Sequence, residues 1–530
     1  MLSTFHGLET SRRALSTQQA ALHTTGHNIA NANTKGYSRQ RVNFTQTEAF
    51  PNPGFNKPGI PGQLGTGVKA GEIQRVREAF LDMQYRAENN KNGYWDSRHT
   101  SLEKMEDIMN EPTEDGLANT LDRFWESLQD LSVNPEDSGA RSVVRQRGIA
   151  VAETFNYTYN SLEAIQRDYQ QQIGVQENQV NSLLNQINKL NSQISSVEPH
   201  GMLPNDLYDQ RDMLVDELSQ FVNIEVERVN SGGQSKDMAE GKYSIYLLDN
   251  NGQRLNDVQL VNGENLTINQ MSVEPKSEND RLDGLVTGIS FGGNTVGFED
   301  FQSPGSLRGA IEAYGYMEGG EERGLYPDMM RNLDVMANTF ASEFNAVHEA
   351  GWSLSEIENE AHSEIAFFSY RQDLDDDGKG AAKQLRVSQT IMDSLDNIAA
   401  SGDPGRTGGA LNGPLGEAFA GDGSNALALA DVKDNRLDFD GDTTNVQSFY
   451  QGVIGQMAVD TNEAARMERN TGSLRDSVDQ NRQSVSSVSL DEEMSNMIQF
   501  QHAYNAAARN LTAVDEMLDR IINNMGLVGR

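Results

Sequence analysis

The stretch from Ser489 to Met525 constrains this chain more than any other. Ser489-Leu490-Asp491-Glu492 reads as a capping box, in which a serine covers free backbone N–H groups and a glutamate reaches back. Apolar or small residues then recur every seven positions. Met497, Tyr504, Leu511, Leu518 and Met525 form one row, and Phe500, Ala507, Val514 and Ile521 a second row three residues on. No Pro or Gly interrupts them, so the spacing predicts one amphipathic helix, about 54 Å long at ~1.5 Å per residue. Such a seam cannot bury itself and requires a partner helix.

The other end of the chain supplies the candidate. Leu8, Leu15, Leu22 and Ile29 also stand seven apart, predicting a helix over 4–32 whose apolar row is too thin to be stable alone. Residues 1–41 carry five positive charges (Arg12, Arg13, Lys35, Arg39, Arg41) and one negative (Glu9), a net of +4, whereas the whole chain carries −35. The expected pairing sets Met497, Tyr504, Leu511 and Leu518 against Leu8, Leu15, Leu22 and Ile29. It leaves Phe500, Val514 and Ile521 for contacts between copies. Asn28, Asn31, Asn33 and Gly36, followed by Tyr37, stop the first helix, because Asn and Gly tolerate left-handed backbone and Asn bonds its own main chain. That turn is expected to join two domains in a fixed shape.

Between the ends the chain reads as multidomain and mainly α with a β-rich insertion. Pro and Gly clusters from Val42 to Gly71 indicate extended or hairpin structure, with helix resuming near Glu72 and running to about Met109. Residues 114–197 are strongly helical, and from Phe155 to Val197 apolar residues alternate by three and four, the pattern of an internal bundle. Lys242 to Leu248 is strand-like and precedes Asn251-Gly252, a two-residue hairpin signal. Leu333, Met336, Phe340, Phe344 and Val347 share one helical face. The expected division is a coiled-coil-like terminal domain of 1–42 and 484–530, then a helical-bundle middle domain of 43–223, 306–360 and 425–483. The outer β-rich domain is 224–305, adjoined by mixed strand and loop at 361–424.

The charge of −35 disfavours nucleic acid and anionic membrane surfaces as partners. No apolar run reaches the roughly 18 residues of a membrane span, and no signal peptide is expected at the N-terminus. Asp373-Leu374-Asp375-Asp376-Asp377-Gly378 matches half of a calcium loop, but Gln384 stands where the bidentate Glu belongs. Asp438, Asp440 and Asp442 form a poorer version. His23 and His27 lie four apart, yet Thr24 replaces the Glu of a zinc-protease helix. Without cysteine there is no thiol nucleophile. No metal, no cofactor and no enzymatic activity is expected.

The run from Ala20 to Gln40, with Asn28-Ile29-Ala30-Asn31-Ala32-Asn33-Thr34-Lys35-Gly36-Tyr37 at its centre, resembles the signature of the flagellar rod, hook and hook-associated axial proteins. Ser489 to Met494, Phe500 to Arg509, Asn345 to Gly351 and Phe367-Phe368 resemble motifs of the same family, and the Tyr-Ser-Arg-Gln ending points to its hook–filament junction branch. The resemblance covers roughly a fifth of the chain and leaves the β-rich insert out. It implies a structural subunit that assembles through its terminal helices, with copies of itself, the hook subunit below and hook-associated protein 3 above. It also implies a cytosolic export chaperone on the C-terminal helix and an extracellular location reached by type III export without signal cleavage. Another axial protein, the hook subunit or hook-associated protein 3, is the alternative. A secreted coiled-coil adhesin whose β insert binds a ligand is a further one.

Overall fold

The structure is a computed structural model and describes residues 5–51, 62–109, 116–277, 281–372, 374, 378–402 and 418–524. The chain opens with α1 (His6–Ala30), β1 (Gln40–Gln46), β2 (Val68–Arg75), α2 (Ala79–Met109), α3 (Leu117–Val133), α4 (Ser138–Val197) and α5 (Asn205–Phe221). Strands β3 (Ile224–Val229), β4 (Lys242–Leu248), β5 (Arg254–Asn262), β6 (Thr267–Ile268), β7 (Met271–Glu274), β8 (Gly288–Phe291) and β9 (Asn294–Gly297) follow. Then come α6 (Ser306–Tyr314), β10 (Tyr316–Glu318), β11 (Glu321–Arg323), α7 (Leu325–Glu349), β12 (Trp352–Ser353), α8 (Leu354–Asn359), β13 (Phe368–Tyr370), α9 (Ala381–Gln384), β14 (Leu385–Val387), α10 (Gln389–Asp393) and β15 (Ala399–Ser401). The chain closes with α11 (Ser424–Asp431), β16 (Leu437–Phe439), β17 (Asp442–Thr444), α12 (Val446–Ser486) and α13 (Leu490–Asp519).

These elements form two compact units. The first holds Met1–Lys91, Val180–Gln270 and Thr471–Arg530; the second holds Asn92–Gln179 and Met271–Asn470. The stretch expected as one β-rich domain, 224–305, is divided between them. Strands β3-β4-β5-β6 make a four-stranded antiparallel sheet in the first unit, and β7-β8-β9 a three-stranded sheet in the second. Residues 43–91, 180–223 and 471–483, expected in the middle domain, share the first unit with both chain ends.

In the first unit β1 and β2 pair antiparallel as a two-stranded ribbon, with a bulge at Asn43/Phe44. Helix was expected from Glu72, but β2 continues to Arg75 and α2 starts at Ala79. Arg75 is held in place by acids of α5. Its guanidinium lies 2.6 Å from Asp209 and 3.0 Å from Asp212 of α5. Around it sits a buried charge cluster. Arg77 binds Asp82 at 2.7 Å, Arg86 binds Asp216 at 2.7 Å, and Arg482 of α12 binds Asp479 at 2.8 Å and lies 3.7 Å from Asp82. Burial alone would raise the Asp212 carboxyl, but Arg77, Arg75, Arg86 and Arg211 outweigh it and hold that group far below the usual carboxylate range.

In the second unit the core is aromatic. Phe124 meets Trp125, Phe340, Phe344, Phe367 and Phe368, with ring centroids between 5.2 and 6.4 Å. Gly148 of α4 permits this, since a Cβ there would fall 2.7 Å from Phe367. The Asn345–Gly351 motif is structural. Asn345 donates to the Phe368 carbonyl at 2.9 Å and accepts from its N–H at 2.8 Å, so the side-chain amide acts as a one-residue strand. His348 is buried and neutral. Burial pushes its pKa down to about 4, Nδ1–H donates to the Ile365 carbonyl at 2.6 Å, and Nε2 accepts from Ala399 N–H at 2.9 Å.

The acidic motifs resolve differently. Asp438, Asp440 and Asp442 belong to the tight β16–β17 hairpin, where Asp440 (φ 55°) and Gly441 (φ 97°) form the turn and Asp438 accepts from Gly441 N–H. Residues 373 and 375–377 of the other motif lie outside the described residues, and Gln384 accepts from Gln372 N–H at 3.0 Å.

Candidate assembly interface at the paired chain ends

Helices α1 and α13 pack together in the first unit, and two contacts determine how. A Cβ on Gly7 would lie 3.3 Å from Val514, and Asn28 donates to Glu493 at 3.1 Å. Position 7 therefore meets 514 while 28 meets 493, so the helices are antiparallel and in heptad register. The register sets Gly7, Ala14, Ala21 and Asn28 opposite Val514, Ala507, Phe500 and Glu493. Ser11, Ala21, Thr25 and Asn28 are buried on α1, and Glu493, Ala507 and Leu518 on α13.

This redraws the expected division of the two rows in part: Phe500 and Val514, expected to contact other copies, lie within the pair, while Leu518 of the row expected there is buried and Ile521 of the other row is exposed. The Phe500, Ala507, Val514 row lies within the pair, because Gly and Ala on α1 leave room for larger side chains only there. Leu8, Leu15, Leu22 and Ile29 are half-buried and flank the seam; so are Met497 and Leu511, while Tyr504 and Ile521 are exposed. Met525 lies outside the described residues. The last turn, Arg520–Asn524, is π-helical, ending the regular α-helix at Asp519.

The ribbon covers one side of this pair. On α1, Arg13 donates to the Thr66 carbonyl at 3.2 Å and Thr17 to the Val68 carbonyl at 3.3 Å, and the His6 ring contacts the Gly65 carbonyl. On α13, Phe500 meets Phe44 of β1 edge-on at 5.9 Å. At ~100° per residue, Leu8, Leu15 and Leu22 lie on the opposite flank of α1, and Met494 and Ile498 on the opposite flank of α13. These flanks form one open face. Leu490, Met494 and Ile498 are 48%, 56% and 53% exposed, an apolar stripe at helical spacing.

The turn after α1 is built around Asn28. Its amide donates to the Gln40 carbonyl at 2.8 Å and accepts from Gln40 N–H at 3.0 Å and from the Tyr37 hydroxyl at 2.8 Å. Tyr37 also bonds His27, one of the two histidines at zinc-like spacing, at 2.9 Å; His23 is exposed. Asn31 donates to the His27 carbonyl and accepts from Thr34, Gly36 is left-handed (φ 82°) against Met213, and Asn33 is exposed. Asn191 holds Tyr243 of β4 by the same two-bond clamp that Asn28 makes on Gln40.

Sequence reasoning missed the charged closure beside this turn. Arg39 makes two bonds to Glu492, at 2.8 and 3.0 Å, and one to Glu493 at 2.8 Å. Its N–H also donates to the Ser486 carbonyl at 2.8 Å. Ser489 accepts from Glu492 N–H, but the reciprocal half of the capping box is not made. The Glu492 carboxylate is taken by Arg39, because a charge-assisted two-point pair is stronger than a bond to one backbone N–H. The excess positive charge of residues 1–41 was the available signal, without indicating which acid it meets.

Among the described residues no helix is long and apolar enough to cross a membrane, and no group of three or more His, Cys, Asp or Glu is placed to hold a metal. Comparison with known proteins agrees with the architecture. Residues 102–362 match the family model "Flagellar hook-associated protein FlgK helical domain". Residues 8–37 match "Flagella basal body rod protein", and 479–525 match "Flagellar basal body rod FlgEFG protein C-terminal". The chain is 46% identical to flagellar hook-associated protein 1 of Bacillus subtilis over 100% of both chains. It is 25% identical to the protein of that name from Escherichia coli K12, over 96% of this chain and 98% of that one. Its fold matches the flagellar hook junction protein FlgK from Burkholderia pseudomallei with a TM-score of 0.58, at 16% identity, covering 76% of this chain and 100% of that one. The chain belongs to the flagellar hook-associated protein 1 family.

Proposed function

We propose that the chain is the structural, non-enzymatic subunit joining hook to filament, and that copies of it assemble through the α1–α13 pair. The open apolar face carries this reading: Leu490, Met494 and Ile498 on α13, flanked by Leu8, Leu15 and Leu22. An exposed stripe of this kind on a chain of net charge −35 needs a partner, and the occupant is a second copy of the chain. Asn28, Asn31, Asn33, Gly36 and Tyr37 shape the turn from this pair into the ribbon. The hook subunit below and hook-associated protein 3 above are the axial neighbours. A cytosolic export chaperone covers α13 until assembly, and the subunit reaches the flagellum outside the cell with its N-terminus intact.

Deleting residues 490–530 tests the reading. Hooks still form, no filament is retained, and filament subunits escape into the medium. Filaments of normal number and length on such cells would overturn it.

A further inference from the structure

The apolar part of the α1–α13 seam does not specify its own register. On α1 the seam offers only Gly7, Ala14 and Ala21 at heptad steps, and small residues accept any side chain opposite. Sliding α13 one heptad in one direction would set Val514 on Ala14 and Ala507 on Ala21. Sliding it in the other would set Ala507 on Gly7 and Phe500 on Ala14.

Either slip parts Phe500 from Phe44 of β1, and each breaks one polar layer. In the observed register Glu493, 2% exposed, meets Asn28 at 3.1 Å and Arg39 at 2.8 Å. The first slip buries Asn28 against Phe500, and the second buries the Glu493 carboxylate against Ala21. A polar group that is satisfied in only one register penalises the others, as a single buried Asn does in a coiled coil. We propose that Asn28, Arg39 and Glu493 are positioning residues, a polar key that selects the register of the terminal helices and thereby aligns the open face that copies share. This rests on the assembly reading for its consequence, but not for its test.

The chain has no cysteine, so engineered disulfides report register without background. In the full-length chain, Ala14→Cys is combined separately with Ala507→Cys (observed register), Val514→Cys and Phe500→Cys (the two slips). With the key intact, the 14–507 disulfide forms at least about tenfold more than either slipped one, because one slip parts Glu493 from Arg39 and sets Phe500 on Asn28, and the other buries the Glu493 carboxylate away from its partners. In R39L/E493L the 14–500 disulfide rises to within about threefold of 14–507, since the carboxylate that opposed this slip is gone, while 14–514 stays low because Asn28 still meets Phe500. Exclusive 14–507 bonding in R39L/E493L would overturn the proposal. Loss of all three disulfides in that variant would also overturn it, because the key would then stabilise the pair without selecting its register. The readout needs neither hook nor filament, so a chain that holds register but builds no junction supports the key while overturning the assembly reading.

Discussion

Replacing Met494 and Ile498 together by aspartate separates the open face from the fold. Both side chains are more than half exposed, at 56% and 53%, and neither belongs to the α1 seam. The subunit itself therefore loses little, about 0.5 kcal/mol per site from the lower helix propensity of Asp. In the assembly the account differs. Covering the exposed half of each side chain stabilises by about 1 kcal/mol at ~25 cal/mol per Å². Burying two aspartates in their place costs roughly 2 kcal/mol or more even after partial solvation. The contact between copies then weakens by about 4 kcal/mol, roughly a thousandfold. Thermal unfolding of the purified variant followed by circular dichroism should stay near that of the parent chain. Electron microscopy should show cells with hooks and few filaments. Gln499→Asp, which adds charge on another flank of α13, serves as the control and should leave filaments normal. Filaments at parental number on M494D/I498D cells would refute the assignment of this face.

Three further outcomes follow from the interior. Arg75→Met should destabilise the first unit by about 3–5 kcal/mol, read by denaturant unfolding, because Asp209, Asp212 and Glu240 lose the buried cation they share. Asp334 accepts from the N–H groups of Gly380 and Ala382 at 2.8 and 2.9 Å, yet burial raises its pKa to about 6. The folded state then holds its proton more tightly than the unfolded chain does. This group's contribution is full below pH ~4 and is lost as pH rises through about 6, and Asp334→Asn should remove that step from the stability–pH curve. Gly148→Val should cost about 1–3 kcal/mol in thermal or denaturant unfolding, because Phe367 occupies the space its side chain needs.

Much of the fold was legible because it is local. Heptad spacing located α1, α4 and α13, and Lys242 to Leu248 is strand β4 at the expected bounds. Where the reading failed, a distant group had decided the outcome. Residues 72–75 look helical in isolation, but β1 supplies a partner strand and α5 supplies acids for Arg75. Glu492 looks like half of a capping box until Arg39, over 450 positions away in sequence, claims its carboxylate. Asp440-Gly441 is a hairpin turn that an acidic motif obscured.

The sequence alone determined that the two ends are long helices needing partners, that the first is thin and basic, and that a turn rich in Asn follows it. Periodicity and charge are properties of the local chain and survive without a fold. Only the tertiary structure decided which row faces inward. That choice depends on small residues meeting large ones across the pair, Gly7 against Val514 and Ala21 against Phe500, and on a ribbon that closes one side and leaves the other open. The register was likewise undetermined by two repeating rows. It was settled where Asn28 and Arg39 meet Glu493, because a buried carboxylate is stable only where its partners converge.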